Sequence, residues 1–157
     1  LGAGGAGRVA ALKLASAGVK RLHLINRTRS KAEAVSSDIR SKYPEVGLSL
    51  DYPEQGTQVD LLLNATSLGL KLNDPLPVDL GAISMKNVLN AYDMIYQPAQ
   101  TAFLREAEQA GCRTANGLGM LLYQGTAALE IWTGRTAPTE TMRTALHEHV
   151  YGKLSAL

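Results

Sequence analysis

The chain has 157 residues, which is enough for one domain with a single sizeable core. Hydrophobic residues make up 45% of the chain and charged residues 19%, a balance that argues against intrinsic disorder. The net charge of +2 gives no reason to expect a nucleic-acid or membrane partner, and no apolar run approaches the roughly 20 residues of a membrane span.

The only cysteine is Cys112, so no internal disulfide can form. A protein without disulfides is typical of a reducing compartment, and we expect a cytoplasmic location. Cys112 itself is best interpreted as a small core residue beside a strand.

The apolar pattern predicts alternating helices and strands after an opening glycine-rich turn. In chain order, the first half contains a helix at 8–17, a strand at 21–26, a helix at 30–43 and strands at 46–50 and 59–64. The second half contains a loop at 65–82, a strand at 87–92 and helices at 101–110, 118–132 and 139–154. The last helix has Met142, Leu146, Val150 and Leu154 on one stripe.

This alternation predicts a doubly wound, mainly parallel sheet of about six strands with helices on both faces. Residues 1–157 are expected to form one domain. A strand should precede the glycine-rich turn, but only its last residue, Leu1, is present. We therefore expect a fragment with a truncated first strand.

The glycines have the spacing Gly2-x-Gly4-x-x-Gly7, between the end of a strand and the start of a helix. In that context the pattern is the fingerprint of a Rossmann-type dinucleotide site. Gly2 permits the tight turn, Gly4 lets the backbone approach a pyrophosphate, and Gly7 lets the helix pack on the strand. The start of the helix attracts the phosphate charge.

The end of the next strand indicates which dinucleotide is bound. An NAD site places Asp or Glu about 20 residues past the glycines, to bind the ribose 2′-hydroxyl. Here that place holds Asn26, Arg27 and Thr28, with Lys31 one turn later. Two cations and no carboxylate favour a 2′-phosphate, which the planar guanidinium of Arg27 can bind through several N–H groups at once. The pattern therefore predicts NADP.

Three further segments follow the carboxyl ends of strands, where open α/β sheets bind ligands. Asn64 to Gly69 (NATSLG) offers the hydroxyls of Thr66 and Ser67, and Tyr92 to Pro98 (YDMIYQP) places Met94 and Tyr96 on the same side of an extended chain. Gly117 and Gln124 are seven residues apart, two helical turns, and share a stripe. Asp93 is interpreted as a brace for its strand end.

Five motifs occur in one order: GAGGAGR, NRTRSKA, NATSLG, YDMIYQP and NGLGMLLYQG. Together they closely resemble the C-terminal domain of shikimate dehydrogenase, from Gly2 to about Trp132. The resemblance implies an NADP-dependent oxidoreductase of chorismate and aromatic amino-acid biosynthesis that interconverts 3-dehydroshikimate and shikimate. The family often has Ala or Ser where this chain has Gly7, and Met where it has Leu70.

The resemblance also implies roles for single residues. The pyrophosphate would lie against Gly2, Ala3, Gly4, Gly5 and Ala6. The adenosine 2′-phosphate end would meet Asn26, Arg27, Thr28 and Lys31. Thr66 and Ser67 would lie along the cofactor, and Met94 and Gly117 would flank the nicotinamide. Tyr96 and Gln124 would reach the substrate.

In the family, a Lys and an Asp of an N-terminal substrate domain form the catalytic pair. That domain is missing here, so no catalytic residue is assigned to this chain.

Other interpretations stay open from sequence alone. A quinate/shikimate dehydrogenase with broader substrate use is the nearest, and a non-catalytic NADP-responsive module is the alternative from another class. No metal site is expected, because His147 and His149 are two apart on a helix and point to different faces. The expected partner is the small-molecule substrate, and a homodimer remains open.

Overall fold

The computed structural model describes residues 1–152, an α/β chain with parallel strands. The helices of this part are α1 (Gly5–Ser16), α2 (Arg29–Lys42), α3 (Ala102–Gln109), α4 (Leu118–Thr133) and α5 (Thr139–Tyr151). The strands are β1 (Arg21–His23), β2 (Gly47–Ser49), β3 (Val59–Asn64), β4 (Val88–Asp93) and β5 (Arg113–Asn116). Within these residues no helix has the length and apolarity needed to cross a membrane.

The strands form two parallel sheets instead of the single sheet of about six strands that the sequence predicts. β1 pairs with β2, and β3, β4 and β5 form a second sheet in that order. Residues 1–152 thus contain five strands, and the expected sixth is represented only by its end. The Leu1 amino group donates to the Leu63 carbonyl (2.7 Å), the Ala65 amide donates to the Leu1 carbonyl (2.8 Å), and the Gly2 amide donates to the Ile25 carbonyl (2.8 Å).

These three bonds tie the start of the chain to both sheets. In a parallel ladder, the amide and the carbonyl of one residue bond to the two residues that flank its partner on the next strand. Leu1 bonds in this way to Leu63 and Ala65, which flank Asn64. Leu1 and Gly2 therefore lie where a strand between β1 and β3 would end.

Below Leu1, the two sheets are separated by an apolar cavity of about 430 Å³, which we call the inter-sheet slot. Residues 21–25 form one wall and residues 59–63 the other, while α1 contributes Ala10, Ala11 and Leu14. The open slot explains one departure from prediction. The pattern of residues 59–64 predicts an inner strand, yet Leu61 is 39% exposed, because it lines the slot.

Buried apolar side chains form two clusters, one on each side of the slot. The cluster around α1 and α2 includes Ala11, Ala15, Val35 and Ile39. Small residues on α1 let it lie close to its neighbours. The other cluster lies between the β3–β4–β5 sheet and α3 and includes Leu62, Phe103, Leu104, Ala107 and Cys112. The interpretation of Cys112 as a core residue is confirmed.

Strand β5 was not predicted, because Arg113, Thr114 and Ala115 are exposed and give no apolar pattern. The final helix differs in another way. It ends at Tyr151, and its predicted stripe residues Met142, Leu146 and Val150 are only partly buried. Leu154, the last member of that stripe, lies outside the described residues.

Candidate functional site

The glycine-rich turn packs tightly against the ends of β1 and β3. Gly2 has a φ of +94°, a left-handed value that favours glycine, and a Cβ atom there would lie 2.9 Å from the Ala65 carbonyl oxygen. A Cβ atom at Gly7 would overlap the Gly2 carbonyl oxygen. These two glycines let α1 start immediately beside the turn.

The next two glycines face open space instead. A Cβ atom at Gly4 or Gly5 would meet no atom within 4 Å, and both residues are exposed. Gly4 is the N-cap of α1 and has no side chain to cap the amides of the first turn. An uncapped helix start with open space before it is a cradle for an anion. This geometry fits the pyrophosphate of a dinucleotide.

The end of β1 joins this turn through Asn26. Its Oδ1 accepts a hydrogen bond from the Ala3 amide (2.9 Å), and its Nδ2 donates to the Thr28 carbonyl (2.7 Å). The side chain of Asn26 is thus occupied in linking the glycine turn to the start of α2. Its predicted contact with the 2′-phosphate stays a prediction, and this linking role is what the structure adds.

The basic residues after β1 fall into two groups. Arg29 donates to the Asp51 carboxylate (3.0 Å) and lies 3.6 Å from Glu33, and the hydrogen bond to Asp51 raises the pKa of Arg29. Arg27 and Lys31 are exposed and form no ion pair within residues 1–152. The structure therefore leaves the two predicted cations available for an anion, whereas Arg29 is held by carboxylates.

The loop after β3 is organised by Asn64, which is fully buried. Its Oδ1 accepts from the amide and the hydroxyl of Thr66 (3.0 and 2.7 Å), and its Nδ2 donates to the Leu68 carbonyl (3.1 Å). The Thr66 hydroxyl also accepts from the Leu68 amide (3.1 Å). Ser67 is exposed. Of the two predicted hydroxyls, Thr66 is therefore engaged within its own loop.

Asp93, at the end of β4, is a buried carboxylate. It accepts hydrogen bonds from Asn64 Nδ2 (3.0 Å), the Ile95 amide (3.0 Å) and the Thr101 hydroxyl (2.6 Å). Burial raises the pKa of Asp93, and the bonds from Thr101, Ile95 and Asn64 oppose that rise. The interpretation of Asp93 as a brace of its strand end is confirmed.

Met94 and Gly117 come together at the ends of β4 and β5. The Met94 amide donates to the Asn64 carbonyl (2.9 Å), and the Gly117 amide donates to the Ile95 carbonyl (3.2 Å). A Cβ atom at Gly117 would overlap the Met94 carbonyl oxygen. The three loops that follow β3, β4 and β5 are consequently in direct contact.

Tyr96 and Gln124 differ in how firmly the structure holds them. The Tyr96 carbonyl accepts a hydrogen bond from the Tyr151 hydroxyl, which also accepts from Asn116 Nδ2 (3.0 Å). Gln124 is exposed on α4 and makes no side-chain hydrogen bond within the described residues. The Tyr151 contact was not predicted, because it joins residues 55 apart in the chain and leaves no local pattern.

The inter-sheet slot lies between the strands and not beyond their ends, and it reaches the glycine-rich turn at Gly2 and Gly7. In the part of the chain that the structure describes, no three His, Cys, Asp or Glu side chains cluster closely enough to hold a metal ion.

Comparison with known proteins gives the family. The model of the shikimate 5′-dehydrogenase C-terminal domain matches residues 117–147. A shikimate dehydrogenase (NADP(+)) from Methanopyrus kandleri is 40% identical over 155 residues, covering 96% of this chain and 53% of that protein. This chain carries a C-terminal domain of the shikimate dehydrogenase family. It spans about half the length of the curated relatives that it matches.

Two solved structures are similar to this chain, and one of them is a shikimate dehydrogenase. The shikimate 5-dehydrogenase of Thermus thermophilus, in complex with NADP(H) and shikimate, has a TM-score of 0.76 and 32% identity, with 94% of this chain and 52% of that chain covered. The 5-ketofructose reductase of Gluconobacter sp. strain CHM43, in a ligand-free form, has a TM-score of 0.78 and 39% identity, with 94% and 54% covered.

Proposed function

We propose that this chain is the NADP-binding part of an oxidoreductase that interconverts 3-dehydroshikimate and shikimate. The observation that carries the proposal is the free cation pair, Arg27 and Lys31, beyond an uncapped glycine turn. That pair favours a 2′-phosphate. The proposed substrate is taken from the similarity to shikimate dehydrogenases. The reaction would serve chorismate and aromatic amino-acid biosynthesis in the cytoplasm.

The proposed cofactor site extends along the ends of the strands. The pyrophosphate would meet the amides of Gly2 to Ala6, and the 2′-phosphate would meet Arg27 and Lys31, with Asn26 and Thr28 beside them. Thr66 and Ser67 would lie along the dinucleotide. Met94 and Gly117 would flank the nicotinamide, which supplies the hydride chemistry when NADP is bound.

The substrate would meet this chain at Tyr96 and Gln124. The Gln124 amide can donate and accept, which suits a ring hydroxyl, and its exposure leaves it free to do so. No residue of this chain is proposed as the proton-transfer group. We place that group in a separate substrate domain, in keeping with the length of the relatives.

The inter-sheet slot supports the same domain organisation. Its walls are two strands that each lack a partner on the facing edge within residues 1–152, and Leu1 already bonds to both. We propose that an extended segment leading into Leu1 fills the slot. It would join the two sheets into one doubly wound sheet of six strands, with helices on both faces.

The relatives favour one further substrate class. The 5-ketofructose reductase is at least as similar to this chain as the shikimate dehydrogenase structure, so a different polyhydroxylated ketone is the second candidate. Quinate, alone or beside shikimate, is the third. A non-catalytic NADP-responsive module is the candidate outside enzymes.

Steady-state kinetics of the two-domain protein separate these candidates. We expect NADP⁺-dependent oxidation of shikimate with a higher kcat/KM than that of quinate, and little rate with NAD⁺. Reduction of 5-ketofructose by NADPH without shikimate oxidation would favour the second candidate. Binding of NADPH without turnover of any of these compounds would favour the module. The same sample, studied by light scattering, would decide whether a homodimer forms.

A further inference from the structure

A buried polar network joins the loops that carry the proposed nicotinamide contacts. Its members are Asn64, Asp93 and Thr101, with exposed fractions of 0%, 0% and 1%. They come from the ends of β3 and β4 and from the N-cap of α3. Asp93 is the central member, because both of the other side chains donate to its carboxylate.

The network is also bonded to the loops that follow β3 and β4. Asn64 fixes Thr66 through two hydrogen bonds, and Asp93 fixes the Ile95 amide. The Ile95 carbonyl in turn accepts from the Gly117 amide. A path of hydrogen bonds therefore runs from Thr66 through Asp93 to Gly117, across the three loops.

A buried carboxylate costs more hydration free energy than a neutral side chain would at the end of one strand. Asp93 forms no ion pair within the described residues, so only neutral donors compensate its loss of hydration. A neutral side chain could cap the strand without that cost, but it could not accept from three donors at these positions at once. The carboxylate is thus suited to fixing the separation between loops.

We propose that Asp93 is a positioning residue of the hydride-transfer site. It acts through Asn64 and Ile95 to set the spacing of Thr66, Met94 and Gly117, and so the depth at which a nicotinamide ring can lie. This inference rests on the proposed function. It predicts that damage to the network affects the rate of hydride transfer more than the affinity for NADP, since the phosphates are held elsewhere.

The test uses the two-domain protein with Asp93→Asn, which keeps the shape of the side chain and replaces one acceptor by a donor. We expect kcat to fall about ten- to a hundredfold, as expected when reacting groups are displaced by about an ångström. The KM for NADP should change less than about threefold, because each phosphate contact remains. Thr126→Val is the matched control, a buried threonine that bonds within α4.

Thr101 supplies a second pair of variants in case Asp93→Asn folds poorly. Thr101→Val removes the hydroxyl that donates to Asp93, and Thr101→Ser keeps it. Thr101→Val should lower kcat in the same way, and Thr101→Ser should retain nearly all of it. Kinetics are measured well below the melting temperature of each variant.

Fluorescence of bound NADPH gives a readout that does not require turnover. In Asp93→Asn the emission of the bound dihydronicotinamide should shift towards that of free NADPH, at an unchanged Kd. If wild type binds NADPH without turnover, the proposed substrate is wrong, and this fluorescence still decides the role of Asp93. Unchanged kcat and fluorescence, with a lower melting temperature alone, would show that Asp93 only braces the fold. Failure of wild type to bind NADPH would overturn both proposals.

Discussion

At the scale of single residues, Arg27 is the side chain on which cofactor choice should depend. A charge-assisted bond to a phosphate is worth roughly 1.5–3 kcal/mol. Since about 1.4 kcal/mol is a tenfold change in affinity, Arg27→Ala should weaken NADP binding about ten- to a hundredfold and leave NAD binding nearly unchanged. Titration calorimetry with both cofactors measures this.

The matched control is Arg40→Ala, an exposed arginine in the last turn of the helix that follows Arg27. It should change neither affinity. Equal losses for NADP and NAD in Arg27→Ala would contradict the assignment of the 2′-phosphate.

Gln124 is the residue that should distinguish substrate from cofactor. Its side chain is exposed and without a hydrogen bond in the described part of the chain, so Gln124→Ala should not disturb the fold. In the two-domain protein we expect kcat/KM for shikimate to fall about ten- to a hundredfold, because one hydrogen bond is lost and its partner is left unpaired.

NADP affinity should be nearly intact in Gln124→Ala. Gln109→Ala, at the exposed end of α3, is the control and should behave as wild type. A loss confined to NADP binding would mean that Gln124 contacts the cofactor instead of the substrate.

The contact of Arg27 and Lys31 with a 2′-phosphate stays a prediction. Both residues could be singled out from the sequence, because the absence of a carboxylate at the strand end is visible there. The engagement of Arg29 with Asp51 could not, since the two are brought together only by the pairing of β1 with β2. For the same reason the bond from the Ala3 amide to Asn26 and the bond from Asn64 to Asp93 could not be predicted without the fold.

At the scale of elements, the start of α4 shows how closely the loops approach. Gly117→Ala would drive a Cβ atom into the Met94 carbonyl, so we expect a loss of roughly 1–3 kcal/mol in the free energy of unfolding. Gly119→Ala, two residues later, meets no atom within 4 Å and should stabilise the helix by up to about 1 kcal/mol. Urea denaturation of both variants measures the contrast, and similar effects at both positions would contradict the close contact.

The elements themselves were largely predictable, and the exceptions have physical causes. Helices α2, α3 and α4 and strand β3 lie close to their predicted bounds, and α2 and α3 bury the apolar residues that predict them. β5 was not predicted because its side chains are exposed at the edge of a sheet, where pairing is made by the backbone alone. The division of the sheet into two parts was not predicted either, because the apolar periodicity of a strand does not show which strands it pairs with.

At the scale of the whole molecule, the chain of 157 residues should bind NADP only weakly and oxidise no shikimate. The glycine turn rests on strands that are not joined, and the proposed proton-transfer group belongs to another domain. NADPH fluorescence titration and an absorbance assay, run beside the two-domain protein, measure both properties. Turnover of shikimate by the chain alone would refute the proposal that the proton-transfer group lies in a separate domain.

The divided sheet also has a consequence for how this chain behaves in concentrated solution. β1 and β3 present backbone donors and acceptors to each other across a space that they cannot close, and exposed strand edges are templates for strands of other molecules. Inclusion bodies, domain swapping and slow precipitation are the usual results of such edges. Production of this domain in usable yield will therefore depend less on its surface charge than on filling the space between β1 and β3.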